Sequence, residues 1–141
     1  MSVEDNVRIV EAALKHVNAK EWDSFESLYS ESTVWYGPGA SDVVRGRDDV
    51  MNSVKSFVKA FPDAHREKRR VFGEGDLVYL ELVETGTHKG SFELETKTVP
   101  ATNKRIELHI CLVFKIVDGK IAETRSYYDE LDLLKPIGVL A

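Results

Sequence analysis

Apolar residues recur at intervals of three and four from the start of the chain: Val3, Val7, Val10, Leu14 and Val17 fall on one stripe, the pattern of an amphipathic helix that buries one face. Ser2 followed by Asp5 supplies a capping pair at its start. Trp22, Phe25, Leu28 and Tyr29 predict a short second helix, and Ser32 to Tyr36 a strand that Gly37-Pro38-Gly39 breaks. Gly46 precedes a third helix, in which Val50, Val54, Phe57, Val58 and Phe61 keep helical spacing until Pro62 ends it.

Beyond Pro62 the period changes to that of β-structure. Strands are expected over about 64–73, 76–88, 91–98, 105–117 and 120–129, separated by Gly73-Glu74-Gly75-Asp76, Lys89-Gly90, Thr102-Asn103-Lys104 and the hairpin pair Asp118-Gly119. Turns this short join antiparallel neighbours, because a parallel crossover needs a dozen or more residues. Helices followed by strands predict an α+β fold, three N-terminal helices packed on one face of a curved antiparallel sheet. In 106–117 the even positions Leu108, Ile110, Leu112, Phe114 and Ile116 are apolar, and so are Cys111 and Val113 opposite them. A sheet wetted on one side alternates more cleanly, so the outer face is expected to be covered, most simply by a second copy in a homodimer.

Composition narrows the class. The 141 residues, 43% hydrophobic and 30% charged, suit a single domain spanning 1–141. Nineteen Lys and Arg against 24 Asp and Glu leave a net charge of -5, which argues against a nucleic-acid or anionic-membrane partner. The basic run Arg66, Lys68, Arg69 and Arg70 is interrupted by Glu67 and reads as the solvated part of a strand. No apolar segment approaches the ~20 residues of a membrane span, and Glu4, Asp5, Arg8 and Glu11 stand where a signal peptide would be apolar, so a cytoplasmic protein is expected. Cys111, the single cysteine, has no disulfide partner within the chain and reads as an inert core thiol.

His16, His65, His88 and His109 lie in no metal-binding frame, and there is no nucleophile elbow, dinucleotide fingerprint or phosphate loop. What remains is polar groups planted in the sheet. Alternation along the last strand puts Ile121, Glu123, Arg125, Tyr127 and Asp129 on one face. With Ile121 looking inward, Asp129 is either an interior carboxylate suited to proton transfer or the cap of a helix over Leu131 to Ile137. On the strand from Asp76, Glu84 and His88 share the face of Val78, Leu80 and Leu82 if no bulge intervenes, and Glu81 lies opposite. His109 is off the even apolar stripe. Trp35 and Tyr36 must point to opposite faces, so one of them can line a cavity.

The succession Phe61-Pro62-Asp63, Glu74-Gly75-Asp76-Leu77-Val78, Thr85-Gly86-Thr87-His88-Lys89-Gly90, Asp118-Gly119-Lys120-Ile121, and Tyr128-Asp129 leading to Leu133-Leu134 and Gly138 resembles the SnoaL-like polyketide cyclase, or ester cyclase, family of the nuclear-transport-factor-two-like superfamily. The resemblance implies a cone of three helices on a curved sheet, and a cofactor-independent, metal-free enzyme that closes a ring by intramolecular aldol condensation of a hydrophobic substrate. It implies Asp129 as general acid and base and His88 as a second polar group. The expected substrate contacts are Trp35, Tyr36, Phe61, Leu82, His109, Arg125 and Tyr127. Departures are Pro100-Ala101-Thr102-Asn103-Lys104, where the family has Pro-Thr-Gly, Lys135-Pro136-Ile137-Gly138, where a glutamine is usual, and Arg125 at an often aromatic position. Arg125 in a pocket would favour an enolate or would pair with Asp129. The alternatives are a non-catalytic binding module with the same pocket, and an isomerase or an epoxide hydrolase; for hydrolysis Asp63, Glu81, Glu84 and Glu93 are the interior carboxylate candidates.

Overall fold

A computed structural model describes residues 2–139. Helix α1 spans Val3–Ala19, and its capping box is formed: Asp5 N donates to Ser2 Oγ at 3.1 Å and Ser2 N to Asp5 Oδ2 at 3.3 Å. The second helix, α2, is shorter than its apolar pattern suggests, Trp22–Glu26, because Tyr29 already opens strand β1 (Tyr29–Tyr36). A strand that no alternation announced, β2 (Val43–Arg45), folds back on β1, and α3 (Arg47–Ala60) follows.

The remaining strands are β3 (His65–Glu74), β4 (Leu77–Thr87), β5 (Phe92–Glu93), β6 (Thr98–Val99), β7 (Arg105–Val117) and β8 (Lys120–Tyr127), with a closing turn of helix α4 (Leu131–Leu134). The single strand expected over 91–98 is thus a small hairpin, folded at a turn in which Leu94 N donates to Lys97 O at 2.8 Å. The main sheet runs β2-β1-β8-β7-β4-β3. Its pairs are antiparallel except β1 with β8, which run parallel with Trp35 opposite Thr124 and Tyr36 opposite Arg125. Among the described residues no helix is long and apolar enough to cross a membrane.

Helices α1 and α3 cover the inner face. Val10, Ala13 and Val17 of α1 and Val50, Met51 and Val54 of α3 meet Val78, Leu80 and Leu82 of β4 and the even positions of β7 from Ile106 to Ile116. Each fully buried large side chain contributes roughly 1.5–3 kcal/mol. Three register shifts break the alternation, the first in β1 between Tyr29 and Val34, which face Ile121 and Glu123 of β8. Ile116 faces Ile121 but Lys115 faces Glu123, so Ala122 is an extra residue in β8. Lys68 faces Leu82 but Arg70 faces Glu81, so Arg69 is extra in β3.

The outer face of the sheet carries rows of in-register side chains. Phe72, Tyr79, Val113 and Arg125 form one and Arg70, Glu81, Cys111 and Tyr127 the next. Phe72, 60% exposed, stacks on Tyr79 with centroids 5.0 Å apart, and Tyr127 is 54% exposed. Cys111 is therefore not a core thiol but a half-buried outer-face residue; burial, with Glu81 nearby, pushes its pKa up, which keeps it unreactive.

The hairpin β5–β6 is tied to the end of α3, where Lys89 N and Gly90 N both donate to Ala60 O at 3.0 Å. The approach leaves no room for a side chain, because a Cβ on Gly90 would stand 2.3 Å from Lys59 O. Gly90→Ala is expected to destabilise the fold by about 3 kcal/mol, and Gly75→Ala, at a positive φ in open space, by about 1 kcal/mol. Urea denaturation of both variants measures the difference.

Candidate functional site

A cavity of about 480 Å³ opens between α3 and the inner face of the sheet. Its walls are apolar over most of their extent: Trp35 of β1, Val44 of β2, Val50, Val54 and Phe57 of α3, Leu82 of β4, and Leu108, Ile110 and Leu112 of β7. Set into this wall is a cross-strand ion pair. Arg66 of β3 stands directly opposite Glu84 of β4, and its Nε donates to Glu84 Oε2 at 3.0 Å, with the two side chains only 14% and 5% exposed.

Arg66 is held from the other side by α1. Asn18 Nδ2 donates to Arg66 O and Arg66 N donates to Asn18 Oδ1, both at 2.9 Å, so the amide acts as a short extra strand that pins this end of β3. Burial works to lower the pKa of Arg66, but the Glu84 carboxylate outweighs it and raises the value overall. Tyr128, just beyond β8, lines the same cavity; burial and the carboxylates of Glu130, Glu84 and Asp42 push its hydroxyl up to about 12, so it stays a neutral hydrogen-bond donor. Ser126 completes the polar wall, and Asp42 and Glu95 stand exposed at the mouth. Among the described residues no group of three His, Cys, Asp or Glu is placed to hold a metal.

Of the substrate contacts expected from the sequence, Trp35 and Leu82 line this cavity. The others do not. Asp129 is exposed, lies beyond the end of β8, and its Oδ1 accepts from Leu131 N at 2.9 Å, the cap role rather than the interior one. The cause is the bulge at Ala122, which reverses the alternation: Ile121 faces inward, but after the extra residue Thr124 and Ser126 do so, and Arg125 and Tyr127 turn outward.

Arg125 pairs with Glu123 at 3.3 Å and covers the Tyr36 ring at 4.1 Å, away from both Asp129 and the cavity. Tyr127 and His109 border a groove on the outer face. Phe61 and His88 are fully buried and stacked on each other at 5.3 Å, in the core beside the cavity instead of in its wall. Of the hydrolase candidates, Glu84 alone is interior; Asp63 is exposed and accepts from Thr87, Glu81 pairs with Arg70 at 2.7 Å, and Glu93 accepts from Thr98. Arg66, read from its basic neighbours as solvated, is the residue the sequence hid. Its signal was the facing position on β3, visible only once the β3–β4 register is known.

Removing one member of a buried ion pair strands the other charge. Arg66→Met is expected to cost about 3–5 kcal/mol, and Arg66→Met with Glu84→Met to recover most of that loss. Thermal denaturation of the two single variants and the double variant completes the cycle.

A sequence profile of the SnoaL-like polyketide cyclase family matches residues 7–137. No curated protein matches the chain. AclR from Streptomyces galilaeus, a proposed hydroxylase, is 25% identical with a TM-score of 0.83 over 99% of this chain and 100% of its own. A proposed SnoaL-like polyketide cyclase from Jannaschia sp. CCS1 is 20% identical with a TM-score of 0.86 over 98% and 94%. An LEH-like epoxide hydrolase from M. tuberculosis is 20% identical with a TM-score of 0.74 over 96% and 90%. The last two are likenesses of fold, and across the three one scaffold carries differently named chemistries. The profile match takes in nearly the whole chain, the helices as well as every strand that builds the cavity: the protein belongs to the SnoaL-like polyketide cyclase family.

Proposed function

We propose that the chain is a cofactor-independent enzyme that binds a hydrophobic carbonyl compound in the cavity and moves a proton next to the carbonyl, the step that cyclisation and isomerisation share. The observation that carries this reading is the buried Arg66–Glu84 pair, set in a cavity wall that also carries the apolar side chains of Leu82, Leu108 and Ile110. Glu84 Oε1 takes no hydrogen bond among the described residues and is the proton acceptor. Arg66, whose Nη donors are likewise unengaged by the described residues, and the Tyr128 hydroxyl supply donors for the oxyanion that forms. A positioned base contributes about 10²–10⁴-fold and an oxyanion donor about 10²–10³-fold, and the apolar wall holds the reactive conformer.

The reaction class is testable without the natural substrate. In D2O, the wild type is expected to accelerate α-deuterium exchange into 2-tetralone, followed by NMR. Glu84→Gln should lose at least a hundredfold of that acceleration, and Asp129→Asn should stay within about threefold of wild type. Binding of 2-tetralone without acceleration would make the chain a non-catalytic binding module, and an unchanged Glu84→Gln rate would remove Glu84 as the base.

We also propose that a second copy covers the outer face of the sheet. The support is the exposed aromatic pair Phe72 and Tyr127 flanked by charges of both signs, Arg70 with Glu81 and Arg125 with Glu123, a pattern that complements itself under a twofold axis. Light scattering during size exclusion is expected to give twice the 15.9 kDa chain mass, falling to one chain for Phe72→Glu with Tyr127→Glu. A wild-type monomer overturns it.

A further inference from the structure

We propose that residues 89–103 form a lid over the mouth of the cavity, latched by the buried imidazole of His88 and released when that ring takes up a proton. The lid gates the same cavity, so its ligand role rests on the reading given above. The latch is a separate observation.

The segment leaves the sheet at the end of β4 and returns at β7. Its tip is the β5–β6 hairpin, and Glu95 at the turn borders the cavity mouth together with Pro38, Ser41 and Asp42. Its two legs meet at His88: His88 N donates to Lys104 O and Asn103 N donates to His88 O, each at 2.8 Å. The His88 ring then bridges to the returning leg, with Thr102 N donating to Nδ1 at 3.3 Å and Thr102 Oγ1 at 2.9 Å from the same nitrogen. Thr102 Oγ1 in turn accepts from Lys104 N at 3.3 Å, so its hydroxyl proton is free to point at the ring.

These bonds fix the tautomer. A backbone N–H can only donate, so Nδ1 must offer a lone pair and the ring proton sits on Nε2, which is buried with no hydrogen-bond partner. A second proton has to go to Nδ1, where it displaces the Thr102 N–H contact and obliges the Thr102 hydroxyl to turn from donor to acceptor. The resulting cation would be buried with no counter-ion. Phe61 from the end of α3 stacks on the ring at 5.3 Å, Phe92 of β5 meets it edge-on at 6.5 Å, and the 100–104 segment presents Thr102. The neighbouring charged residues Asp63, Lys89 and Lys104 are exposed, and Asp63 is engaged by Thr87 N and Oγ1 at 2.7 and 2.8 Å. The closed latch therefore favours the neutral ring: a proton costs the Thr102 N–H contact and buries a charge.

The sign of the pH effect follows. Burial lowers the His88 pKa, against the opposing pull of the Gly90 and Val99 backbone, so the closed state binds its proton more weakly than the open state, where the ring titrates near 6.5. Closure is strongest above about pH 6.5 and is lost as pH falls, by up to about tenfold in open population per unit.

Hydrogen–deuterium exchange of the wild type between pH 7.5 and 5.0, corrected for intrinsic rates, reads this out. Peptides within 89–103 are expected to gain exchange by up to about tenfold per unit below pH 6.5 while β4 and β7 stay protected, and 2-tetralone dissociation should quicken in parallel. His88→Asn, which places a non-titrating acceptor where Nδ1 was, should flatten both profiles. Thr102→Val, which removes only the hydroxyl contact, should raise lid exchange several-fold at pH 7.5 and keep the pH step. A step that survives in His88→Asn, a flat wild-type profile, or lid and sheet opening together overturns the proposal. Absence of tetralone binding, with the exchange step intact and dependent on His88, would remove the proposed function and leave the latch standing.

Discussion

Eleven unbroken cross-strand pairs between β4 and β7, from Leu77 opposite Lys115 to Thr87 opposite Arg105, decide which side chains look inward over the centre of the sheet. Because side chains alternate with a period of two, a single slip in this ladder would turn the whole apolar set of one strand toward water. No slip occurs, and the helices therefore have one continuous surface to pack against. The irregularities sit in the flanking strands, at Arg69 of β3, at Ala122 of β8 and between Tyr29 and Val34 of β1, where extra residues bend the strand and tighten the twist. The rigid centre and bent flanks together curve the sheet around a cavity.

That division also explains what could be read from the chain beforehand. Alternation in 106–117 is regular, and so is its burial: Ile106, Leu108, Ile110, Leu112, Phe114 and Ile116 are all in the core. Glu84 of β4 and His88, one residue past its end, are both buried as the alternation predicts, because β4 has no bulge against β7. In β8 the same reasoning failed after Ala122, since a bulge adds one residue without any compositional mark. Every inference downstream of it, including Asp129, Arg125 and Tyr127, was displaced to the opposite side. Arg66 was hidden for another reason. Its three basic neighbours are exposed, and only the partner strand distinguishes the one that is buried. The family resemblance reached the fold correctly, because fold depends on the aggregate pattern, whereas site residues depend on single registers.

The Arg66–Glu84 pair is an uneconomical way to stabilise a protein. Taking both charges out of water costs several kcal/mol per ion before their attraction is counted, and a pair of apolar residues of similar volume would be as stable or more so. The surrounding architecture nevertheless invests in it: Asn18 of α1 is committed to holding the backbone of Arg66, and the β3–β4 register sets the two side chains face to face. Stability alone therefore gives no reason for an ion pair at this place in the cavity wall.

The parallel pairing of β1 with β8 bears on how the molecule is made. Tyr29 lies beside Ile121, so the first strand finds its long-range neighbour only after more than four-fifths of the chain has been synthesised. Strands β3, β4, β7 and β8 can assemble from near neighbours, and β1 with β2 can form its own small hairpin. Until β8 emerges, that hairpin has an open edge. Contacts this distant in sequence are slow to form and leave strand edges exposed meanwhile. On the ribosome the cavity is therefore completed last: Ser126 of β8 and Tyr128 just beyond it are the final residues of its wall to be made, and a chain stopped short of β8 lacks them.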